Sequence, residues 1–175
     1  MNFDVLIIGA GPSGLSAGIR LAQLAKKNNK ELSISVVEKG SEVGAHILSG
    51  AVLETKALDE LIPDWKSKDT PLKTKTKKDN FILLTKNKSF KLPTPPQMKN
   101  DGNYIISLGN FCRWLAEQAE ELGVNIFPGF AASEILEDEK AKKVIGIRTG
   151  DQGIDKNGKQ LENFQQGYDL LAKQT

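Results

Sequence analysis

The chain has 175 residues, of which 39% are hydrophobic and 26% are charged, and its formal net charge is +2. This composition is typical of a soluble globular protein with a sizeable core. No uncharged apolar run approaches the ~20 residues that a membrane-spanning helix needs. The single cysteine, Cys112, excludes an internal disulfide and a metal site built on several thiolates. Because Cys112 falls within a helical pattern, we expect it to be a small buried apolar residue.

The lysines are unevenly distributed along the chain. The segment from Trp65 to Lys99 holds ten lysines and two aspartates, a local balance of +8, whereas the remainder is net acidic. That segment has no arginine, and its aromatic residues do not form a stacking series. We therefore expect a solvated lysine-rich excursion and no nucleic-acid binding.

The organising pattern is a strand, a glycine-rich turn and a helix near the amino terminus. Four aliphatic residues, Val5–Ile8, precede a G-x-G-x-x-G fingerprint, and Leu15 to Leu24 recur at helical spacing. The first helical N–H groups and the positive end of the helix dipole attract a diphosphate at such a turn. The pattern predicts a dinucleotide site at Gly9, Ala10, Gly11, Pro12, Ser13 and Gly14.

Each glycine of this fingerprint has its own predicted task. Gly9 turns the backbone sharply off the strand, and Gly11 leaves the main chain open to the pyrophosphate. Gly14 lets the helix approach the strand closely, and Gly18 is a further small residue on the same helix. The alternative is a βαβ unit that binds no ligand.

A second strand is predicted at Leu32–Val37, directly before Glu38 and Lys39. Glu38 lies 24 residues after Gly14, where a carboxylate can accept hydrogen bonds from both hydroxyls of an adenosine ribose. An acidic residue here disfavours a 2′-phosphate, so NADP is not expected. These residues leave open whether the dinucleotide is FAD or NAD.

The middle of the chain predicts short elements separated by glycine and proline. A helix is expected from Thr55 to Ile62, ended by Pro63, and two strands at Phe81–Thr85 and Ser89–Leu92. His46, the only histidine, lies in a glycine-punctuated segment without a second catalytic residue in view. We interpret it as a structural hydrogen-bonding residue.

The last third predicts a return to α/β structure. A strand at Tyr104–Ile106 precedes a helix capped by Asn110 and closed by Gly123. The segments that follow are a strand at 124–127, an antiparallel pair at 134–137 and 144–148, a tight turn at 155–158 and a strand at 168–172. Because no covering element follows this last strand, the pattern predicts a domain that continues beyond Thr175.

Several stretches, in register over the whole chain, resemble the electron-transfer flavoprotein–ubiquinone oxidoreductase family. The G-A-H-x-L-S-G-A and G-N-Y-I stretches are much more specific than the glycine fingerprint. The matching stretches are Val5 to Ile19, Val37 to Lys39, Gly44 to His46, Leu48 to Ala51, Pro63 to Trp65, Gly102 to Ile105, Gln118 to Glu120, Pro128 to Ala131, and Gly153-Ile154.

The resemblance implies an α/β fold: a Rossmann-like FAD-binding domain of glutathione-reductase type, incomplete at its carboxyl end, with a small β-rich excursion. Residues 1–42 and 104–175 would form the FAD-binding domain. FAD would contact Gly9 to Gly14, Glu38 and Lys39, with backbone around Ala131 and Ala132 beside the adenine by analogy with the wider fold family. The family's four-iron, four-sulfur cluster would have its ligands outside this chain, since Cys112 does not match one.

The resemblance also implies electron relay from reduced electron-transfer flavoprotein to ubiquinone, with no catalytic side chain. Residues 43–103 would form a membrane-side and quinone-side excursion, with peripheral contact through 43–64, centred on Ile47 to Ile62 and strengthened by Lys66 to Lys78. Periodicity alone favours the alternative that Ile47 to Ile62 packs inside the protein. The location would be the inner membrane, on the mitochondrial matrix side or the bacterial cytoplasmic side. The alternatives are another FAD oxidoreductase of this fold, such as a geranylgeranyl-reductase-like protein or a hydroxylase, and a fragment that catalyses no reaction.

Overall fold

A computed structural model describes residues 1–155 and 158–175. The chain forms two compact units, residues 1–47 with 112–175 and residues 48–111. The second unit overlaps the predicted excursion at 43–103, whose membrane and quinone roles stay predictions. Two residues of the tight turn predicted at 155–158, Lys156 and Asn157, lie outside the described residues.

The first unit is built on a six-stranded sheet in the described residues. The elements of this unit are β1 Asn2–Ile8, α1 Pro12–Lys27, β2 Ile34–Glu38, β8 Asn125–Pro128, β9 Ala132–Asp138, β10 Lys143–Thr149, β11 Gln152–Ile154, β12 Gln160–Gln165 and β13 Asp169–Gln174. The strand order in the sheet is β8-β2-β1-β13-β10-β9. The strands β8, β2, β1 and β13 run parallel, and β10 is antiparallel to both β13 and β9.

The helix α1 packs closely on one face of the parallel strands. A Cβ added at Gly18 would lie 3.5 to 3.7 Å from Val124, Ile7 and Val36, which is ordinary van der Waals contact. Because side chains alternate along a strand, Leu6 points to the opposite face of β1, where it forms a buried cluster with Val37, Ile147 and Leu170. The face of β1 opposite α1 therefore carries a cluster of buried apolar residues from neighbouring strands of the same sheet.

The second unit has its own sheet and buried residues. Its elements are β3 Gly50–Leu53, α2 Lys56–Leu61, a short 3-10 turn Trp65–Ser67, β4 Thr74–Lys75, β5 Phe81–Leu84, β6 Ser89–Leu92, a second 3-10 turn Pro96–Met98 and β7 Tyr104–Ser107. The strand β7 pairs antiparallel with β3 and with β4, and β5 and β6 form a separate hairpin. The indole of Trp65 is buried and donates a 2.7 Å hydrogen bond to Asp59.

The helix α3 spans Leu108–Glu121, so it begins earlier than the sequence predicted. The prediction that Asn110 caps this helix is wrong, because Asn110 lies within the first turn and its N–H donates to the Ser107 hydroxyl at 3.3 Å. A serine before the first helical residue supplies the acceptor instead. The predicted end is correct: Gly123 follows the helix with a φ of +87°, a conformation that glycine adopts readily.

Candidate dinucleotide site

The parallel strands bring the predicted site residues to one edge of the sheet. In the register of β1, β2 and β8, Ile8 lies beside Val37 and Glu38 beside Pro128. The carboxyl ends of these strands are therefore adjacent, and α1 begins at Pro12 directly above them. This is the position at which open α/β sheets bind ligands.

The fingerprint turn leaves open space where a diphosphate would approach. Among the described residues, a Cβ added at Gly11 would meet no heavy atom within 4 Å, whereas one at Gly14 would fall on the Gly9 carbonyl oxygen. Gly9 has a φ of +99°, as the sharp turn requires. In the described part of α1, the first turn has no acidic side chain and Gly11 offers no side-chain cap. The arrangement suits an external anion.

Glu38 fastens this turn to the end of β2. Its Oε2 accepts a 2.9 Å hydrogen bond from the Ala10 N–H, and its Oε1 accepts a 2.8 Å bond from the Gly40 N–H. The Gly9 N–H also donates to the Val37 carbonyl at 2.7 Å. A carboxylate has about four lone-pair positions, so it can hold these two N–H groups and still accept from ribose hydroxyls.

The remaining predicted residues lie around this edge. Pro12 and Ser13 are the first residues of α1, and Lys39 is exposed beside Glu38. The Phe130 N–H donates to the Glu38 carbonyl at 2.9 Å, which brings the turn before Ala131 and Ala132 to the same edge. The Ala131 carbonyl already accepts the Gly150 N–H. The dinucleotide contacts themselves stay predictions.

Arg113 is a residue of this region that the sequence did not identify. Its Nη1 donates to the Val43 carbonyl at 3.3 Å and lies 3.6 Å from a carboxylate oxygen of Glu42. The guanidinium therefore holds the loop that follows Glu38, although 70 residues separate Arg113 from Val43. In the sequence Arg113 occupies an exposed position next to the apolar stripe of α3. No residue near it in the chain therefore indicates its contact with Val43.

Cys112 is buried, as the sequence predicted. Burial raises the pKa of its thiol to about 11, with a lowering contribution from Arg113 and a raising one from Glu38. The thiol therefore stays protonated and unreactive at neutral pH. His46 is exposed in the segment between β2 and β3.

The second unit presents exposed apolar side chains. Every residue of β5 and β6 is exposed, including Leu83 and Phe90 at about half of their surface. Within the segment 43–64, by contrast, Leu58 and Ile62 are buried, while Leu48 is 98% exposed. The apolar side of α2 is thus largely used inside the second unit.

One surface cleft is not a candidate cofactor site, because it lies away from the fingerprint. It has a volume of about 690 Å³ and is lined by Asp4, Lys26, Leu32 and Leu122 among others. Asp4 and Leu32 lie near the amino ends of β1 and β2, and Lys26 and Leu122 lie at the carboxyl ends of α1 and α3, so the cleft is at the edge opposite the fingerprint. Among the residues that the structure describes, no helix is long and apolar enough to cross a membrane, and no cluster of His, Cys, Asp and Glu is arranged to hold a metal ion.

Comparison with known proteins identifies the class to which this geometry is similar. The family model described as FAD-NAD(P)-binding matches residues 6–143. The mitochondrial electron transfer flavoprotein-ubiquinone oxidoreductase of Dictyostelium discoideum is 60% identical over 99% of this chain, and the Pseudomonas aeruginosa enzyme of that name is 56% identical over 100% of it. The chain spans 28% and 32% of their respective lengths. The resemblance stated from the sequence is confirmed.

Solved structures share the fold at lower identity. A geranylgeranyl bacteriochlorophyll reductase-like protein from Thermoplasma acidophilum superposes with a TM-score of 0.67 at 20% identity, over 98% of this chain and 37% of that one. The flavin-dependent monooxygenase PieE, solved with FAD and substrate, gives 0.61 at 15% identity, over 99% of this chain and 29% of that one. The predicted Rossmann-like fold is confirmed.

Proposed function

Because the chain belongs to the FAD-NAD(P)-binding family, we propose that it forms the FAD-binding part of an electron-transfer flavoprotein–ubiquinone oxidoreductase. The observation that carries the proposal is the fingerprint turn, held open at the sheet edge by Glu38, in a chain 60% identical to an enzyme of that name. Reduced electron-transfer flavoprotein would be the electron donor and ubiquinone the acceptor. The family's four-iron, four-sulfur cluster would be bound by residues outside this chain.

In this proposal the residues of this chain bind FAD and orient it. Gly9 to Gly14 present backbone N–H groups and the amino end of α1 to the diphosphate, while Glu38 accepts the ribose hydroxyls and keeps the turn in place. When bound, FAD supplies a ring that accepts electrons singly or in pairs. No proton transfer by a side chain is required, so we assign no catalytic residue.

The proposed location is the inner membrane, on the mitochondrial matrix side or the bacterial cytoplasmic side, with peripheral contact through the second unit. The resemblance stated from the sequence implied that this contact lies at 43–64. Since Leu58 and Ile62 are buried there, we extend the proposal to the hairpin of β5 and β6, whose apolar side chains are exposed. A quinone is a lipid, so the enzyme that reduces it must open toward the bilayer.

The variant Gly11→Val tests the cofactor assignment in the full-length protein. A branched side chain would stand where the pyrophosphate must approach. Because a Cβ at this position meets no heavy atom within 4 Å in the described structure, we expect the fold to be kept. We expect the flavin absorbance of the purified protein to be lost while its melting temperature is kept. Stoichiometric FAD in this variant would show that the turn does not hold the diphosphate.

Liposome flotation with two pairs of substitutions tests the membrane contact. We expect Leu83→Glu with Phe90→Glu to release the protein from vesicles and Leu53→Glu with Leu61→Glu to release it less, each pair being checked by thermal melting. Salt should weaken the wild-type association only partly, because apolar contact is not screened. Release by the second pair alone would return the contact to 43–64, and a wild type that binds no vesicles would overturn the membrane proposal.

The alternative activity is that of another FAD oxidoreductase of this fold. The geranylgeranyl bacteriochlorophyll reductase-like structure is an example of a protein with the same fold. Quinone reduction by the full-length protein with reduced electron-transfer flavoprotein as donor separates the two. We expect rapid electron transfer. Full flavin occupancy without such transfer would support the rival.

A further inference from the structure

The loop at 40–43, which follows β2, is folded back at Gly40. A Cβ added at Gly40 would lie 3.0 Å from the Glu42 carbonyl oxygen and 3.2 Å from Glu38 Oε1, so both oxygens pack against the same buried glycine. The Gly40 N–H donates to this Oε1 at 2.8 Å. The direction of this N–H depends on the course of the loop, and the N–H in turn helps to fix the position of the Glu38 carboxylate.

The two ends of the loop are held by different elements. At its start, the Gly129 N–H donates to the Gly40 carbonyl at 2.7 Å, and Gly129 directly follows β8. At its end, Val43 is buried and its carbonyl accepts the 3.3 Å hydrogen bond from Arg113 of α3. A side chain of α3 therefore restrains the part of the loop that packs against Gly40.

The bond to the carbonyl contributes more to this restraint than the neighbouring ion pair. The side chains of Arg113 and Glu42 are 43% and 68% exposed, and the N–O distance between them is 3.6 Å. Water and salt screen such a pair, so its contribution is small. A hydrogen bond from a charged donor is stronger than a neutral one, and here the acceptor belongs to the buried residue Val43.

Resting on the FAD site proposed above, we infer that Arg113 is a positioning residue for the ribose contact of Glu38. Its bond to the Val43 carbonyl keeps the loop in the course that directs the Gly40 N–H to the Glu38 carboxylate. The charges of Arg113 and Glu38 both affect the pKa of the Cys112 thiol, so the guanidinium and the carboxylate lie near the same buried group. Arg113 thus changes the affinity for a nucleotide through its ribose alone.

Competition between two nucleotides tests this role in the full-length protein after its flavin has been removed. The probes are ADP and 2′-deoxy-ADP, which differ in one ribose hydroxyl. We expect the wild type to bind ADP at least ~10-fold more tightly, because the hydroxyl donates to a carboxylate. Arg113→Met removes every N–H donor but keeps an unbranched side chain of good helix propensity. It should weaken ADP binding roughly 5-fold and leave 2′-deoxy-ADP binding within about twofold, so the ratio of the two affinities falls.

Two variants are controls, and a third tests the path through the loop. Arg20→Met removes the same group from an exposed position of α1 and should change neither affinity. Glu42→Gln should change both by less than about twofold, because the ion pair is exposed. Gly40→Ala places a Cβ against Glu38 Oε1 and the Glu42 carbonyl, and it should lower the ratio as Arg113→Met does.

The outcomes separate this inference from the function on which it rests. Equal losses of both affinities in Arg113→Met, or a lower melting temperature with an unchanged ratio, would show a structural role alone and overturn the inference while the FAD site stands. A loss in Glu42→Gln as large as in Arg113→Met would overturn the role of the carbonyl bond. An unchanged ratio in Gly40→Ala would overturn the path through the loop. A wild type that does not distinguish the two nucleotides would overturn the ribose contact of Glu38 and the inference together.

Discussion

The fingerprint turn at 9–14 and the hairpin at 81–92 differ in what stabilises them and in the groups that they expose. The turn is held by backbone hydrogen bonds to β2 and by the Glu38 carboxylate. Because its glycines have no side chains, its backbone N–H groups are accessible to a ligand. The hairpin is held by its own cross-strand pairs and contributes exposed apolar and lysine side chains.

This difference follows from the ligands proposed for the two regions. A diphosphate needs backbone N–H groups at fixed positions, so even one methyl group can interfere. A lipid surface is fluid, so it needs exposed apolar area and charge and tolerates changes of shape. The predictions below test how far this contrast holds.

The largest effect is expected for Gly14→Ala. Its new Cβ would fall on the Gly9 carbonyl oxygen, and it would also lie 3.2 Å from Ile7, so the helix must move away from the strand. We expect loss of bound flavin and a fall in the free energy of unfolding of roughly 1–3 kcal/mol, measured by absorbance and by urea denaturation.

Gly18→Ala is the matched control on the same helix. Its Cβ would meet only ordinary contacts of 3.5 to 3.7 Å, and alanine favours the helix by roughly 1 kcal/mol over glycine. Flavin should be retained. Equal flavin content and an equal free energy of unfolding in Gly14→Ala and Gly18→Ala would show that the helix and the strand are not closely packed at Gly14.

The next effect compares the buried thiol of Cys112 in α3 with a thiol introduced at the tip of the hairpin. Because burial raises the pKa of Cys112 to about 11, its thiolate is scarce at pH 8. A thiol at the tip in Asn87→Cys, with the ordinary pKa of 9.0, should react with a disulfide reagent roughly 100-fold faster. Rapid wild-type labelling without unfolding would contradict the burial of Cys112.

The same pKa shift predicts a pH dependence of stability. The folded thiol keeps its proton where the unfolded thiol, with an ordinary value of 9.0, loses it. The contribution of Cys112 to the free energy of unfolding is therefore full below about pH 9, and is lost as the pH rises toward about 11. Urea denaturation of wild type and Cys112→Ala at pH 8 and above pH 9 should show the difference between them shrinking.

A smaller effect is expected for Glu38→Ala. Hydrogen bonds between ribose hydroxyls and a carboxylate are worth ~1.5–3 kcal/mol each, so FAD affinity should fall at least tenfold in a reconstitution titration. The FAD affinity of Glu38→Gln should lie between those of the wild type and Glu38→Ala. The amide oxygen can still accept a hydrogen bond from one backbone N–H, while the NH₂ group faces the other N–H. Unchanged affinity in the alanine variant would move the ribose contact elsewhere.

The smallest effect is expected for apolar exchanges in the hairpin. Leu83→Met and Phe90→Leu keep the face apolar while changing its shape, so vesicle binding should stay within about twofold of wild type. A large loss from either exchange would show that the hairpin fits a shaped protein surface.

The sequence correctly predicted several local features of the fold. The strand before the fingerprint, the hairpin at 81–92 and the end of α3 at Gly123 all follow from residues close to one another in the chain. The error at Asn110 has a local cause as well, because Ser107 is also a good cap and only the end of β7 decides which of the two residues precedes the helix.

The sequence by itself determined the dinucleotide fingerprint, because glycine spacing, strand and helix lie within one short stretch. Only the tertiary structure decided that Glu38 holds the Ala10 N–H, that Arg113 holds the loop at Val43, and that Ile62 is buried while Leu83 is exposed. Each of these depends on elements that are distant in the chain. An apolar residue in a short element has the same local pattern whether its face meets a core or solvent, so burial is fixed only when those elements pack.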